Sequence, residues 1–150
     1  MYVSNNILNR AFEKKIEVSP MKLQRLMYFV ASEYAKQTHK PLLTETFRPW
    51  QYGPALTSIY HKFRVVGGEP IEVFNRDAKG RGRMVNERKN PALKAAIESV
   101  LESTKEMSAV DLSRITHLSD SAWSKAYGIK SDLDNNEIEA DLTYKSALGL

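Results

Sequence analysis

Three segments of the chain begin with a helix-capping residue and continue as an apolar stripe at helical spacing. Ser19-Pro20 and Asn90-Pro91 each place proline just after a cap, where its missing N–H costs nothing. Ser108 with Asp111 three residues later resembles a capping box. The stripes are Leu23, Leu26, Met27, Val30 and Tyr34, then Leu93, Ala96, Ile97, Val100 and Leu101, then Leu112, Ile115 and Leu118. Such a chain folds mainly into helices.

Weaker helical patterns occupy most of the remaining sequence. They predict helices over roughly Asn5–Lys14, from Pro54 to Phe63, over a short turn at Ser121–Tyr127 and over about Asn136–Leu148, the last burying Ile138, Leu142 and Tyr144. Alternating apolar residues around a polar turn predict a β-hairpin-like excursion near residues 70–86. We therefore expect a mainly all-α fold, a compact bundle of six to seven helices with one small hairpin.

Length and composition restrict the class of protein. The 150 residues, 42% hydrophobic and 27% charged, predict a single domain over residues 1–150. The sequence contains neither an apolar run of membrane-spanning length nor the pattern of a secretory signal, so we expect a cytoplasmic protein without a membrane partner. Because cysteine is absent, disulfides, thiolate metal sites and cysteine nucleophiles are excluded.

The sequence contains no recognisable catalytic or metal-binding motif. His39, His61 and His117 are far apart and have no metal-ligand spacing. No nucleophile elbow, phosphate-binding loop or dinucleotide fingerprint is present. We therefore predict a protein that is not an enzyme and that has no catalytic, metal-binding or cofactor-binding residues.

The excess positive charge is confined to one segment. The whole chain carries a formal charge of +4, and the segment Arg76–Lys89 alone accounts for it. The candidate partner-binding residues are Arg76, Lys79, Arg81, Arg83 and Arg88. A basic segment suits an acidic protein surface or nucleic acid. Because no aromatic residue lies in the segment to stack on a base, nucleic acid is the less favoured partner.

A second candidate DNA-binding feature is a helix-turn-helix within Leu112–Tyr127. Its second helix would be short and would present only Lys125 as a basic residue, which disfavours that interpretation.

Large aromatic residues stand directly before the third predicted helix. Trp50 and Tyr52 precede Gly53-Pro54, and Trp123 and Tyr127 form a second aromatic pair later in the chain. Aromatic residues at the junctions of helices usually pack as wedges, and this is the favoured interpretation. A ligand pocket and a protein-binding hot spot remain alternatives.

Three stretches of the chain resemble the motif blocks of one family. Residues 22–29, 47–63 and 112–127 resemble its K-L-Q-K-L-L-Y-F, W-x-Y-G-P…Y-x-x-F and L-S-x-x-T-H…W-x-x-A-Y blocks, in the expected order. The matching residues include Leu23, Gln24, Leu26, Tyr28, Phe29, Trp50, Tyr52, Gly53, Pro54, Tyr60, Phe63, Thr116, His117, Trp123 and Tyr127. On these blocks the chain is identified as a member of the Panacea domain family, also called SocA-like or GepA-like and phage-associated.

The resemblance implies a compact helical antitoxin, often prophage-encoded, that neutralises a cognate toxin by binding it. One branch of the family implies a different mechanism, in which the protein is an adaptor that delivers its toxin to the ClpXP protease. The shared blocks are then structural and the variable surface selects the partner. The basic segment matches none of the blocks, so we predict that it contacts an acidic face of the toxin or occludes its nucleotide or RNA site. A DNA-binding regulator remains an alternative.

Overall fold

The computed structural model describes residues 2–150, which form a helical domain with one small β-hairpin. The helices are α1 Val3–Glu13, α2 Pro20–Thr38, α3 Thr57–Phe63, α4 Pro91–Thr104, α5 Ala109–Thr116, α6 Ala122–Ile129, α7 Asn135–Ala140 and α8 Lys145–Leu148. The antiparallel strands are β1 Arg48–Trp50 and β2 Gly53–Ala55. The predicted fold class, mainly helical with one small hairpin, is confirmed. Within residues 2–150, no helix has the length and apolar character needed to span a membrane.

Helix α2 is the centre of the fold. The Ser19 hydroxyl accepts a hydrogen bond from the Lys22 N–H at 3.2 Å, and Pro20 occupies the first turn, as the sequence predicted. Residues 22–32 of this helix are all buried, because α1, α4, α5 and α7 pack around it. The helix ends at Thr38, and the C-cap residue that follows, His39, has a left-handed backbone. A helix surrounded in this way fixes the position of each element that contacts it.

The other two predicted helix starts are also present. The Asn90 side chain accepts from the Leu93 N–H at 3.2 Å. Ser108 and Asp111 form the reciprocal capping box, in which each side chain accepts from the backbone N–H of the other residue, at 3.0 and 3.1 Å. These caps are local interactions, so the sequence pattern was sufficient to predict them.

The predicted position of the hairpin was wrong. The strands lie at residues 48–55, where Trp50 pairs with Gly53, and residues 70–86 contain no strand in the described part of the chain. In that segment the backbone groups of Asn75, Arg83 and Val85 bond to two asparagine side chains of α1. The backbone of Asp77 bonds to that of Gly80 and Arg81 in a turn at the tip. The start of α3 was also misplaced: Pro54 lies in β2, and Leu56 is the N-cap residue.

The predicted last helix is interrupted at Asp141, which separates α7 from α8. Asp141 has an extended backbone, and its buried carboxylate accepts hydrogen bonds from the Tyr28 hydroxyl and from the Ala122 N–H at 3.2 Å. The break changes which residues face inward. Tyr144 is buried as predicted, whereas Leu142, predicted to be buried, is 67% exposed.

Candidate partner-binding surface and motif junction

The predicted partner-binding residues lie on one surface segment, residues 75–89, here called the basic loop. Arg76, Lys79, Arg81, Arg83 and Arg88 are all exposed. The loop connects α3 to α4 and is largely without regular structure, apart from a short 3-10 turn at Glu87–Lys89. The structure therefore brings these charges together on one accessible segment, and their role in binding a partner stays a prediction.

The base of the basic loop is held by two buried side chains of α1, Asn5 and Asn6, here called the asparagine clamp. The Asn5 amide donates to the carbonyl oxygens of Asn75 and Arg83 at 2.7 and 2.8 Å, and its oxygen accepts from the Asn75 N–H at 2.7 Å. The Asn6 side chain donates to and accepts from the Val85 backbone, both at 2.8 Å. The clamp replaces the neighbouring strand that these backbone groups would otherwise need.

The tip of the basic loop is organised around Asp77. One carboxylate oxygen accepts from the backbone N–H groups of Lys79 and Arg81, both at 2.9 Å. The other accepts from the Nε groups of Arg81 and Arg83 at 3.2 and 2.8 Å. The backbone hydrogen bond from Arg81, followed by the Arg83 side chain, lowers the pKa of Asp77 to about 2. The tip therefore has a defined shape at neutral pH.

A groove of about 690 Å³ lies between the basic loop and α3. Its lining includes Arg76 and Ala78 from the loop and His61 and Lys62 from α3. The Lys62 ammonium donates to the Arg76 carbonyl oxygen at 3.1 Å, which connects the two sides. The loop thus borders a concave surface as well as projecting from the domain.

The three motif blocks meet at the turn of the hairpin, here called the motif junction. Three consecutive backbone carbonyl oxygens of this turn each face a side chain from another block. The pairs are Trp50 with Trp123 Nε1 at 2.8 Å, Gln51 with His117 Nε2 at 2.8 Å, and Tyr52 with Arg25 Nη1 at 2.5 Å. The blocks are distant in sequence, so these hydrogen bonds connect α2, α5, α6 and the hairpin.

Gly53 is required at the motif junction by both conformation and space. Its φ of +127° is unfavourable for residues with a side chain. A Cβ atom there would overlap the Arg25 guanidinium and lie 2.8 Å from Thr116 Oγ1. Arg25 is 3% exposed, and burial lowers the pKa of its guanidinium to about 10. The Y-G-P motif therefore makes room for a buried arginine.

The remaining motif residues divide between the core and the surface. Those in the core are Leu23, Leu26, Tyr28, Phe29 and Phe63, with Pro54 also buried. Gln24 bonds the Leu56 backbone in both directions, at 2.9 and 2.8 Å. Tyr52, Tyr60 and Tyr127 are 61%, 47% and 48% exposed. The aromatic residues of the motifs thus include both packing residues and an accessible group.

Sequence reasoning missed the residues that hold the two segments in place. Asn5 entered only as the first residue of a predicted helix, and neither Asp77 nor Arg25 was singled out. A weak signal was available for the clamp. Asn5 and Asn6 precede Ile7 and Leu8 within one helical turn, and asparagine is a poor helix former that is rarely buried without hydrogen bonds.

Comparisons with known proteins agree with the motif blocks. Residues 23–124 match the family model described as Antitoxin SocA-like, Panacea domain. The chain is 29% identical over 126 residues to a protein named Antitoxin SocA from Caulobacter vibrioides (strain NA1000 / CB15N). That alignment covers 81% of this chain and 66% of the relative, just under two thirds of its length. No solved structure matches the chain. The family match covers more than half of the chain, from α2 into α6, so the chain belongs to the Antitoxin SocA-like, Panacea domain family.

Proposed function

We propose that this protein is the antitoxin of a prophage-encoded toxin–antitoxin pair and that it neutralises its cognate toxin by direct protein–protein binding. Membership of the family and the likeness to Antitoxin SocA support an antitoxin role. The observation that carries the binding mechanism is the basic loop, whose charges are exposed while its backbone is held in place. The proposed partner surface is acidic.

The basic loop is suited to recognition because little order has to be gained on binding. Asn5 and Asn6 hold its base and Asp77 holds its tip, so the cost of ordering a flexible segment is reduced. Lys79 and Arg88 form no side-chain hydrogen bond or ion pair within residues 2–150, and both are exposed. Their charges are available to an acidic partner, where they would increase the association rate and the specificity.

The groove beside the loop supports a protein partner. Its volume of about 690 Å³ accommodates several side chains, so an acidic face could contact the loop while neighbouring residues enter the groove. A DNA-binding regulator is less well supported. Lys125, the basic residue of the candidate recognition helix α6, bonds Glu137 at 2.8 Å, so its charge is balanced within the domain.

The test is co-expression with the neighbouring gene, scored by growth and by copurification. The informative variant is Lys79→Glu with Arg88→Glu, because it reverses two exposed charges without changing Asp77 or its bonded arginines. Its matched control is Lys40→Glu with Lys130→Glu, which alters the net charge equally at exposed lysines that follow α2 and α6, outside the basic loop. We expect the loop variant to lose about tenfold or more in affinity for the toxin and the control to retain it.

The other results separate the remaining mechanisms. Rescue of growth that disappears in a strain without ClpXP would identify a proteolytic adaptor. Rescue without copurification would point to a repressor of the toxin gene, tested by binding to its own promoter, or to an enzyme that reverses the toxin's product. Equal loss of affinity in the loop variant and the control would remove the basic loop as the recognition surface.

A further inference from the structure

A second cavity, of about 500 Å³, opens beside the motif junction between α2, the hairpin and α3. Its wall is mainly apolar and aromatic, with Met21, Trp50, Ile59 and Tyr60 among its lining residues and Arg25 beside them. The Trp50 and Tyr60 rings meet edge to face, with centroids 5.4 Å apart. This size and composition are typical of a pocket for a small apolar group with one polar anchor.

Arg25 is the polar anchor of this cavity, and its charge is not balanced by a neighbouring carboxylate. Arg25 is 3% exposed and forms no ion pair within residues 2–150. The guanidinium donates to the Tyr52 carbonyl oxygen, and its Nε has no hydrogen-bond partner in that range. A buried charge without a counter-charge is costly, so an anion that reached the guanidinium would be strongly favoured.

Gln24 and Arg64 are two further polar side chains of the cavity lining. Both ends of the Gln24 amide bond the Leu56 backbone, so this side chain has little capacity for a ligand. Arg64 also lines the cavity and is exposed, which adds positive charge near its mouth. A ligand with one negative group on an apolar body therefore fits better than a multiply charged phosphate, which needs several donors.

We infer that this cavity is a binding site for a carboxylate carried on an aromatic or branched apolar body. The carboxylate contacts the Arg25 guanidinium, and the body lies against the rings of Trp50 and Tyr60. A free aromatic acid and the carboxyl-terminal residue of a polypeptide share this chemistry. The inference is independent of the proposed antitoxin function, since it concerns a different set of residues from the basic loop.

The test is titration of the isotope-labelled full chain, observed by NMR at the Trp50 indole and at Tyr60. The first probe pair is 3-phenylpropionate and 3-phenylpropanamide, which differ only in the anionic group. We expect the carboxylate to shift these signals in a saturable way and the amide to bind about tenfold more weakly, because a charge-assisted hydrogen bond is lost. Equal binding of the two, or no shift with either, would overturn the inference.

A second probe pair distinguishes the two sources. The peptide acetyl-Gly-Gly-Phe is compared with its carboxyl-terminal amide under the same conditions. Tighter binding of the free-carboxylate peptide than of 3-phenylpropionate indicates that the site takes the end of a polypeptide. Binding of 3-phenylpropionate that is as tight as, or tighter than, that of the peptide indicates a small acid. Either result supports the site, provided that the carboxylate of each pair is preferred over its amide.

Variants locate the binding without depending on Arg25, whose replacement is expected to disturb the hairpin. Tyr60→Ala removes part of the cavity wall from an exposed position, so we expect weaker binding by about tenfold and an intact fold. Tyr127→Ala is the matched control, since Tyr127 is equally exposed and stacks on Trp123 outside this cavity. If both variants weakened binding equally, the assignment to this cavity would be wrong.

Discussion

The motif junction and the basic loop are both held by side chains from distant helices, yet they differ in what surrounds them. At the junction, partners from α2, α5 and α6 fix three consecutive carbonyl oxygens, and a buried arginine fills the space beside Gly53. The loop is fixed by Asn5 and Asn6 at its base and by Asp77 at its tip, while its basic side chains stay exposed. We therefore expect few substitutions to be tolerated at the junction, whereas the exposed side chains of the loop can be substituted with little effect on the fold.

The largest expected effect of a single substitution at the junction is that of Gly53→Ala. The new methyl group would have a φ of +127° and would overlap Arg25, so we expect the free energy of unfolding to fall by about 3 kcal/mol. Gly80→Ala in the loop is the control, because Gly80 also has a positive φ, +78°, but has no atom within 4 Å of its Cβ position. Its expected cost is about 1 kcal/mol. Urea denaturation measures the free energy of unfolding of both variants. Equal losses would contradict the claim that the junction has less room for a side chain than the loop.

The next largest effect is expected when the asparagine clamp is opened. Asn5→Ala leaves backbone groups of Asn75 and Arg83 without partners, so we expect a loss of about 2 kcal/mol and faster hydrogen exchange at the Asn75 amide. Asn9→Ala is the matched control on the same helix, because Asn9 bonds only the exposed Glu13 side chain. Unchanged exchange at Asn75 in the Asn5 variant would show that something other than the clamp holds the loop.

A pH titration tests the tip of the loop separately from its base. The ordinary pKa of an aspartate is 3.8, and in the folded protein the pKa of Asp77 is about 2. The ionised carboxylate therefore supports the folded tip fully above about pH 4, and this support is lost as the pH falls through 2. We expect the amide NMR signals of Lys79 and Arg81 to keep their positions at pH 4 and to move near pH 2. In Asp77→Asn this transition should be absent, and its persistence would contradict the assignment.

The smallest effect is expected outside both regions, at Gly128 in α6. No atom lies within 4 Å of its Cβ position, and its φ is not in the left-handed range. Because alanine favours the helix more than glycine does, Gly128→Ala should raise the free energy of unfolding by about 0.5 kcal/mol. Thermal unfolding of this variant and of Gly53→Ala compares how strongly the same substitution changes stability at the two glycines. A destabilised Gly128 variant would indicate an unrecognised contact.

The features predicted from sequence were those that depend on nearby residues. The caps at Ser19, Asn90 and Ser108 were predicted because a cap acts within one helical turn. Pro54 suits the first turn of a helix equally well on local grounds, but here it pairs with Pro49 across the hairpin. The fold places Gly53 directly beside the Arg25 guanidinium, and a local pattern does not encode the proximity of two residues so far apart in the sequence.

In the candidate site, too, the features that depend on nearby residues were predicted and those that depend on distant residues were not. The exposed charges of residues 76–88 followed from composition alone. Within residues 70–86, the backbone carbonyl oxygens of Asn75 and Arg83 accept from Asn5, which is 70 and 78 residues away in the sequence. Periodicity has no information on such distant pairs. The uncompensated charge of Arg25 was likewise invisible, since the sequence does not show which carboxylates the fold brings near it.

The Asn5 side chain bonds to residues on both arms of the basic loop. It therefore keeps the two ends of the loop together without hydrogen bonds between the arms at that point. Chain between Asn75 and Arg83 can then be replaced or lengthened while its ends stay fixed. Doubling the length of such a closed segment costs only about 0.6 kcal/mol of closure entropy. The fold is consequently a natural acceptor for grafted peptides at this position, with α1 supplying the attachment.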